Sequence, residues 1–335
     1  MTKRILMMGS LLASLLLLVG CQKEQLQSFS GRTMGTQYNI TLVGNEVQAG
    51  LVARQISAEL SDFSDIFSTY VRDSEINQIS QAPVGEWIAV SEHMYQLLSL
   101  ALDVSRQSGG AFDPTIRPLV DIWGFGPLQR PDAVPAEQEI ADALAAVNWQ
   151  MLELNEGQVR KLAPLSLDLS AIAKGYGVDV IADMLEEAGF QRYLVEVGGE
   201  MRLKGLKPND EIWRVAVETP DSVVRQAYKV LEITDIALAT SGDYRNYFEE
   251  NGKRYSHTID PRSGWPIEHD MASVSVLASS SALADAWATA IYVVGPEQGQ
   301  QLASANNLAM FMIVRQNGEF VDTMTPKFTE LVNEE

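Results

Sequence analysis

The sequence predicts an α+β fold in which helices pack on mixed or antiparallel sheets, and two observations carry that prediction. Short alternating strands cluster in the second half, at Trp213 to Glu218, Tyr228 to Ile233 and Ile236 to Thr240, near enough in sequence to pair antiparallel. Upstream of them the hydrophobic period changes within one stretch, Leu165 to Gly189. Leu165, Leu167 and Leu169 alternate with Ser166, Asp168 and Ser170 as in a strand with one buried face. Val178, Ile181, Ala182 and Leu185 then follow helical spacing up to Gly189, which suits a left-handed C-cap. With 335 residues, 46% of them hydrophobic, the chain can bury the core of one large or two ordinary domains.

The first twenty residues stand apart from the fold. Lys3 and Arg4 precede an apolar run from Ile5 to Val19, and Leu18-Val19-Gly20-Cys21 supplies small residues before the only cysteine of the chain. This resembles a bacterial lipobox, with residues 1–20 as signal peptide and Cys21 as the lipidated residue. An ordinary signal peptide or a short membrane helix is the alternative. Gln22 after the cysteine favours, by resemblance to sorted lipoproteins, the periplasmic side of the membrane and the inner leaflet of the outer membrane. Residues 21–29 read as a polar tether and 30–335 as the folded domain. With Cys21 lipidated, the domain holds neither a disulfide nor a thiol nucleophile. A formal charge of −19, with no basic stripe, argues against a nucleic-acid partner.

In chain order, Tyr38, Ile40 and Leu42 mark a strand. From about Val47 a helix buries Val52, Ile56, Leu60, Phe63 and Phe67. Ser91 caps the next helix, whose face is Met94, Leu97, Leu98, Ala101 and Val104, and Gly109-Gly110 ends it. Residues 136–147 form another amphipathic helix, and Tyr193 to Val197 a strand closed by a Gly198-Gly199 turn. A strand at Ala272 to Leu277 leads into a helix capped within Ser279-Ser280-Ser281. A small helix starts at Glu297, and Gln316-Asn317-Gly318 turns the last hairpin.

Several stretches carry chemistry-bearing residues, each with a plain structural alternative. Lys174 at the strand-to-helix junction suits an anion, or is a solvated helix-start lysine. Asp113 lies in the loop Gly110-Ala111-Phe112-Asp113-Pro114, where Pro114 keeps it out of helical geometry. Tyr70 is either a boundary aromatic or a stacking surface for a planar ligand, and Met34 is a turn or core residue. His257 is one of three histidines and sits in a loop. Asp285 and Thr289, four apart, share one helical face and form a hard-oxygen pair suited to Mg²⁺, unless Thr289 merely bonds back to its helix.

Together and in this order the motifs resemble the ApbE family of FAD:protein FMN transferases. They are Met34-Gly35-Thr36, Ser68-Thr69-Tyr70, Gly110 to Thr115, Leu167 to Tyr176, Glu196 to Glu200, Thr240 to Tyr244, His257 to Pro261 and Asp285 to Thr289. The resemblance implies a single domain of the T-fold type that binds Mg²⁺ and, as substrate, FAD. It implies transfer of FMN to a threonine hydroxyl of another protein with release of AMP. Met34, Tyr70, Ala111, Phe112, Asp113, Asp168, Lys174 and Ile259 would line the FAD site. The Ala171 carbonyl, Asp285 and Thr289 would hold the metal. His257 is the candidate base for the acceptor hydroxyl, with Asp243 in reserve. Implied acceptors are flavin-bearing subunits of membrane redox complexes of the Rnf and sodium-translocating NADH:quinone reductase kind, met by an enzyme anchored through its lipid. Two alternatives stand beside this one: a Mg²⁺-dependent FAD pyrophosphatase yielding FMN and AMP, and a non-catalytic flavin-binding lipoprotein.

Overall fold

The computed structural model describes residues 25–128, 130, 133–220, 226–242 and 247–332. Cys21 and Asp243 therefore lie outside the described residues. An eight-stranded sheet organises the domain, built from β1 (Gln25–Thr33), β2 (Thr36–Gly44), β6 (Tyr193–Val197), β7 (Glu200–Lys204), β10 (Ile236–Gly242), β13 (Met271–Ala278), β14 (Ala309–Gln316) and β15 (Glu319–Met324). They stand side by side in that order, every neighbouring pair antiparallel. Two small hairpin sheets, β8 (Trp213–Glu218) with β9 (Ala227–Ile233) and β11 (Tyr247–Glu250) with β12 (Lys253–Ser256), lie outside it. So does a three-stranded sheet of β3 (Trp87–Ala89), β4 (Leu152–Asn155) and β5 (Gln158–Lys161). All pairings of named strands are antiparallel, the outcome expected from clustered short strands.

The long helices cover one face of the large sheet, while the short C-terminal helix packs Phe328 against the other. The first, α1 (Glu46–Phe67), buries Val52, Ile56, Leu60, Phe63 and Phe67, the face its spacing predicts. Asn45 caps it by accepting the Gln48 N–H at 2.9 Å. Next come α2 (Glu75–Gln81) and α3 (Glu92–Gln107), the latter capped by the Ser91 hydroxyl, which accepts the Met94 N–H. Short helices α4 (Arg117–Ile122) and α5 (Glu137–Leu144) precede the central helix α6 (Ser170–Glu187), and α7 (Ser281–Val294), α8 (Pro296–Ala305) and α9 (Pro326–Leu331) complete the set. One core joins α1, α3, α6 and α7 to β13 and β14. On the opposite face Trp213, Val215, Leu231 and Ile233 of the β8–β9 hairpin pack on Leu238, Leu277, Phe311 and Ile313. The middle strands are thus buried on both sides, which explains the nearly unbroken apolar runs of β13 and β14.

Two expectations change. Residues 165–169 are extended, with Leu165, Leu167 and Leu169 buried, yet among the described residues they pair with no strand. The Leu167 N–H goes to the Ser80 hydroxyl of α2 and the Asp168 N–H to the Pro114 carbonyl, so a helix and a loop replace the sheet ladder. The tether also ends sooner than expected. Gln25 to Phe29 belong to β1, which pairs with β2 along its length, Gln25 opposite Gly44 and Thr33 opposite Thr36.

Candidate active site

A cavity of about 740 Å³ opens where the N-terminal turn of α6, the inner face of α7 and the end of β10 meet the loop after α3. Its other wall includes Ile116, Val120, Phe125 and Ile259, which pack on a separate small core with Leu119, Trp123, Ile140 and Phe248. From α6 and the extended segment before it come Asp168, Ala171 and Lys174; α7 supplies Asp285 and Thr289. The loop after α3 contributes Ala111, Phe112 and Asp113, and the segment after β12 contributes His257 and Ile259. Tyr70 stands on the rim with 71% of its surface exposed, a bare aromatic face at the mouth. Eleven residues singled out in five separate sequence segments thus share one wall system.

Met34 does not join them. It occupies the β1–β2 turn with φ of 47° and packs on α6, where its terminal methyl would lie 2.6 Å from a Cβ placed on Gly177. A long apolar side chain next to a glycine on a buried helix fills the gap that glycine leaves, which is the core alternative open to it in the sequence.

Asp113 is in the wall but its carboxylate is engaged by the loop. Its Oδ1 accepts from the Thr115 N–H at 2.8 Å and the Thr115 hydroxyl at 2.6 Å, and Oδ2 accepts from the Trp149 N–H at 3.2 Å. Burial pushes its pKa up and these bonds pull against that. Asp168 likewise turns Oδ1 to the Ser170 N–H at 2.8 Å, capping the start of α6.

At the cavity floor one ammonium meets two carboxylates. Lys174 Nζ lies 2.5 Å from Glu200 Oε1 and 3.8 Å from Asp285 Oδ2. The Gly175 N–H, whose partner in a regular helix is the Ala171 carbonyl, donates to Asp285 Oδ2 at 3.1 Å. Asp285, Lys174 and the first turn of α6 are thereby drawn together. Thr289 Oγ1 lies 3.4 Å from the Ser241 hydroxyl at the end of β10. Burial raises the pKa of Asp285 and, despite the attraction of Lys174, lifts Glu200 to about 7. For Lys174 the order reverses: burial opposes its charge, but the two carboxylates outweigh it and hold the ammonium protonated. When both acids ionise, the trio carries a net negative charge in a desolvated place, and among the described residues Glu200 Oε2 has no hydrogen-bond partner. Such a floor favours a further cation.

Glu200 was not assigned a role by sequence, although its Gly198-Gly199-Glu200 turn was singled out. Tyr292 and Phe125 also line the cavity unannounced. Tyr292 falls three residues after Thr289 and seven after Asp285, the same face of α7, so helical spacing could have found it. Phe125 packs edge-on to His257, ring centres 6.3 Å apart, and helps fix the imidazole at the wall.

An antiparallel α+β scaffold with a wide cleft, an aromatic rim and a floor of one ammonium, two carboxylates and hydroxyls has the chemistry to suit a ligand with a planar part and a phosphate part. The ApbE family model matches residues 34–312. The chain is 42% identical over 321 residues to the FAD:protein FMN transferase of Vibrio cholerae serotype O1, covering 95% of this chain and 96% of that one. It is 34% identical over 335 residues to the FAD:protein FMN transferase of Escherichia coli strain K12, covering 95% of each. The crystal structure of the Pseudomonas stutzeri flavinyl transferase ApbE in its apo form superposes with a TM-score of 0.86 at 38% identity, over 93% of this chain and 98% of that one. The flavin transferase ApbE from Vibrio cholerae superposes with a TM-score of 0.85 at 38% identity, over 92% and 99%. The chain belongs to the ApbE family.

Proposed function

We propose that this protein transfers FMN from FAD to a threonine hydroxyl of an acceptor protein in a Mg²⁺-dependent reaction that releases AMP. The observation that carries the reading is the meeting of Lys174, Asp285, Thr289 and His257 in one cavity of a chain whose relatives are FAD:protein FMN transferases. The threonine oxygen attacks the flavin-side phosphorus, the bond from that phosphorus to the bridging oxygen breaks, and AMP departs with that oxygen. A phosphoester is left on the acceptor.

The residues present fit a hard divalent ion. Asp285 and Thr289 offer a carboxylate and a hydroxyl from one face of α7, and the Ala171 carbonyl lies at the start of α6, whose Gly175 N–H is turned to Asp285. The set is all oxygen and leaves positions for water and diphosphate, as Mg²⁺ requires. Bound there, Mg²⁺ supplies positive charge to the non-bridging oxygens and the leaving phosphate.

The chain's own groups do the rest. Lys174 keeps a fixed positive charge at the floor, where phosphate oxygens gain charge in the transition state. His257 accepts the threonine proton, and its ring is held against Phe125. Tyr70 offers its exposed face to one of the two ring systems of FAD, while Ala111, Phe112 and Ile259 make the apolar wall. Asp113 and Asp168 hold the loop and helix that shape this wall.

Cys21 as the lipidated residue places the domain against a membrane on the periplasmic side. Gln25, in β1, is only four positions after Cys21, a reach of at most about 14 Å. Acceptors consistent with that position are flavin-bearing subunits of membrane redox complexes of the Rnf and sodium-translocating NADH:quinone reductase kind. Cys21→Ala is expected to move the protein from the membrane fraction to the soluble one; retention in the membrane would contradict the anchor.

The chemistry is tested by following AMP release from FAD in the presence of a threonine-bearing acceptor domain. Wild type with Mg²⁺ should release AMP in step with flavin on the acceptor, and Asp285→Ala should lose both. Equal turnover after chelation would overturn the metal dependence.

A further inference from the structure

The floor of the cavity depends on how far α7 lies along α6, and the structure shows what sets that distance. Gly175 of α6 lies close against the start of α7: a Cβ there would lie 2.3 Å from the Ser281 carbonyl oxygen and 2.8 Å from Ala282 Cα. One turn further along α6, Asp179 reaches the start of α7. Its Oδ1 accepts the Ser281 N–H at 2.9 Å and its Oδ2 the Ala282 N–H at 2.8 Å. These are N–H groups in the first turn of α7, which have no partner within their own helix. Asp179 is only 8% exposed and is held from behind by Arg202 of β7, whose Nη1 lies 3.3 Å from Asp179 Oδ1 and 3.0 Å from Asp183 Oδ1 and whose Nη2 lies 3.2 Å from Glu186 Oε1. Arg202 and Glu200 are two apart on β7 and both turn to α6, Arg202 to Asp179 and Glu200 to Lys174.

We infer that Asp179 is a positioning residue for the cation site: by clamping the first turn of α7 to α6, it fixes Asp285 and Thr289 relative to Ala171 and Lys174. Asp179 is not among the residues that line the cavity, so it acts only through the helix it holds. Asp285 lies one turn beyond the clamped residues, close enough for any slip of the helix start to reach its carboxylate directly. The inference rests on the proposed divalent-cation site and deepens it.

The test measures Mn²⁺ binding to the full-length chain in detergent, by electron paramagnetic resonance, beside thermal melting without metal. Asp179→Ala removes both acceptors, whereas Asp179→Asn keeps one. Glu75→Ala is the control, because Glu75 caps α3 from α2 in the same manner, accepting the Ser91 N–H at 2.5 Å and hydroxyl at 2.6 Å, and does not line the cavity. The expected result is Mn²⁺ affinity weakened about tenfold or more in folded Asp179→Ala and by less in Asp179→Asn, the scale seen when outer-shell partners are removed. Glu75→Ala should melt lower with unchanged affinity. Where Asp179→Ala does not fold, Asp179→Asn alone decides. Wild-type affinity in a folded Asp179 variant would overturn the inference while leaving the site intact, as would an equal loss in Glu75→Ala. A wild type that binds no Mn²⁺ would overturn the site and the inference together.

Discussion

In the proposed reaction, Lys174 and His257 divide the work of the cavity between a charge that stays and a proton that moves. Lys174 is gripped by Glu200 and Asp285, so its ammonium persists whatever the bulk pH near neutrality. His257→Ala is expected to lower the transfer rate by about 10²- to 10⁴-fold, the usual range for losing a general base, with FAD binding retained by equilibrium dialysis. An unchanged rate across pH would remove His257 from the mechanism. Glu200 gives a second prediction. Its carboxyl holds a proton in the fold up to about 7, against an ordinary 4.5, because burial outweighs the pull of Lys174. Between those values the folded state binds more protons than the unfolded chain, so stability from this group is full at low pH and falls as pH rises toward 7. Metal-free wild type should therefore lose more melting temperature than Glu200→Gln between about pH 5 and pH 7.5; parallel curves would contradict this. The Asp285 and Thr289 pair was legible as a spacing of four on one helix. Glu200 was not, because its partner Lys174 lies 26 positions earlier and only the sheet brings β7 against α6.

At the scale of elements, periodicity revealed what packs against a continuous apolar surface. The buried stripe of α1 and the capped start of α3 were readable for that reason. The stretch 165–169 alternates as a strand does, but alternation records only which side chains point inward. Whether the backbone meets another strand depends on neighbours such as Ser80 and Pro114, far off in sequence. The β11–β12 hairpin passed unread because its strands are four residues each and bury only Phe248 and Ser256, too short a pattern to read as alternation. The α6–α7 contact makes the sharpest prediction here. Gly175→Ala drives a methyl into the Ser281 backbone, which cannot swing aside as a flexible side chain would. Overpacking of this kind costs about 1 to 3 kcal/mol, visible as a lower melting temperature. A variant as stable as wild type would show that the helices are not in close contact there.

For the whole molecule, the antiparallel sheet does two jobs with its two faces. The β8–β9 hairpin closes one face with an apolar core, and the other carries the helices whose ends build the cavity. With a net charge of −19, the positive charge toward phosphate in the cavity is local, at Lys174 and at the proposed cation. If Cys21 carries the lipid, as proposed, Gln25 of β1 lies only four positions further along the chain, so the domain would be held close to the membrane surface. The central claim is transfer to protein rather than hydrolysis or storage, and the intact mass of the acceptor distinguishes these directly. After incubation of a threonine-bearing acceptor domain with the enzyme, FAD and Mg²⁺, the account predicts an acceptor heavier by one esterified FMN, absent when Asp285→Ala replaces wild type. An acceptor of unchanged mass, with free FMN and AMP in solution or with FAD intact, would contradict it.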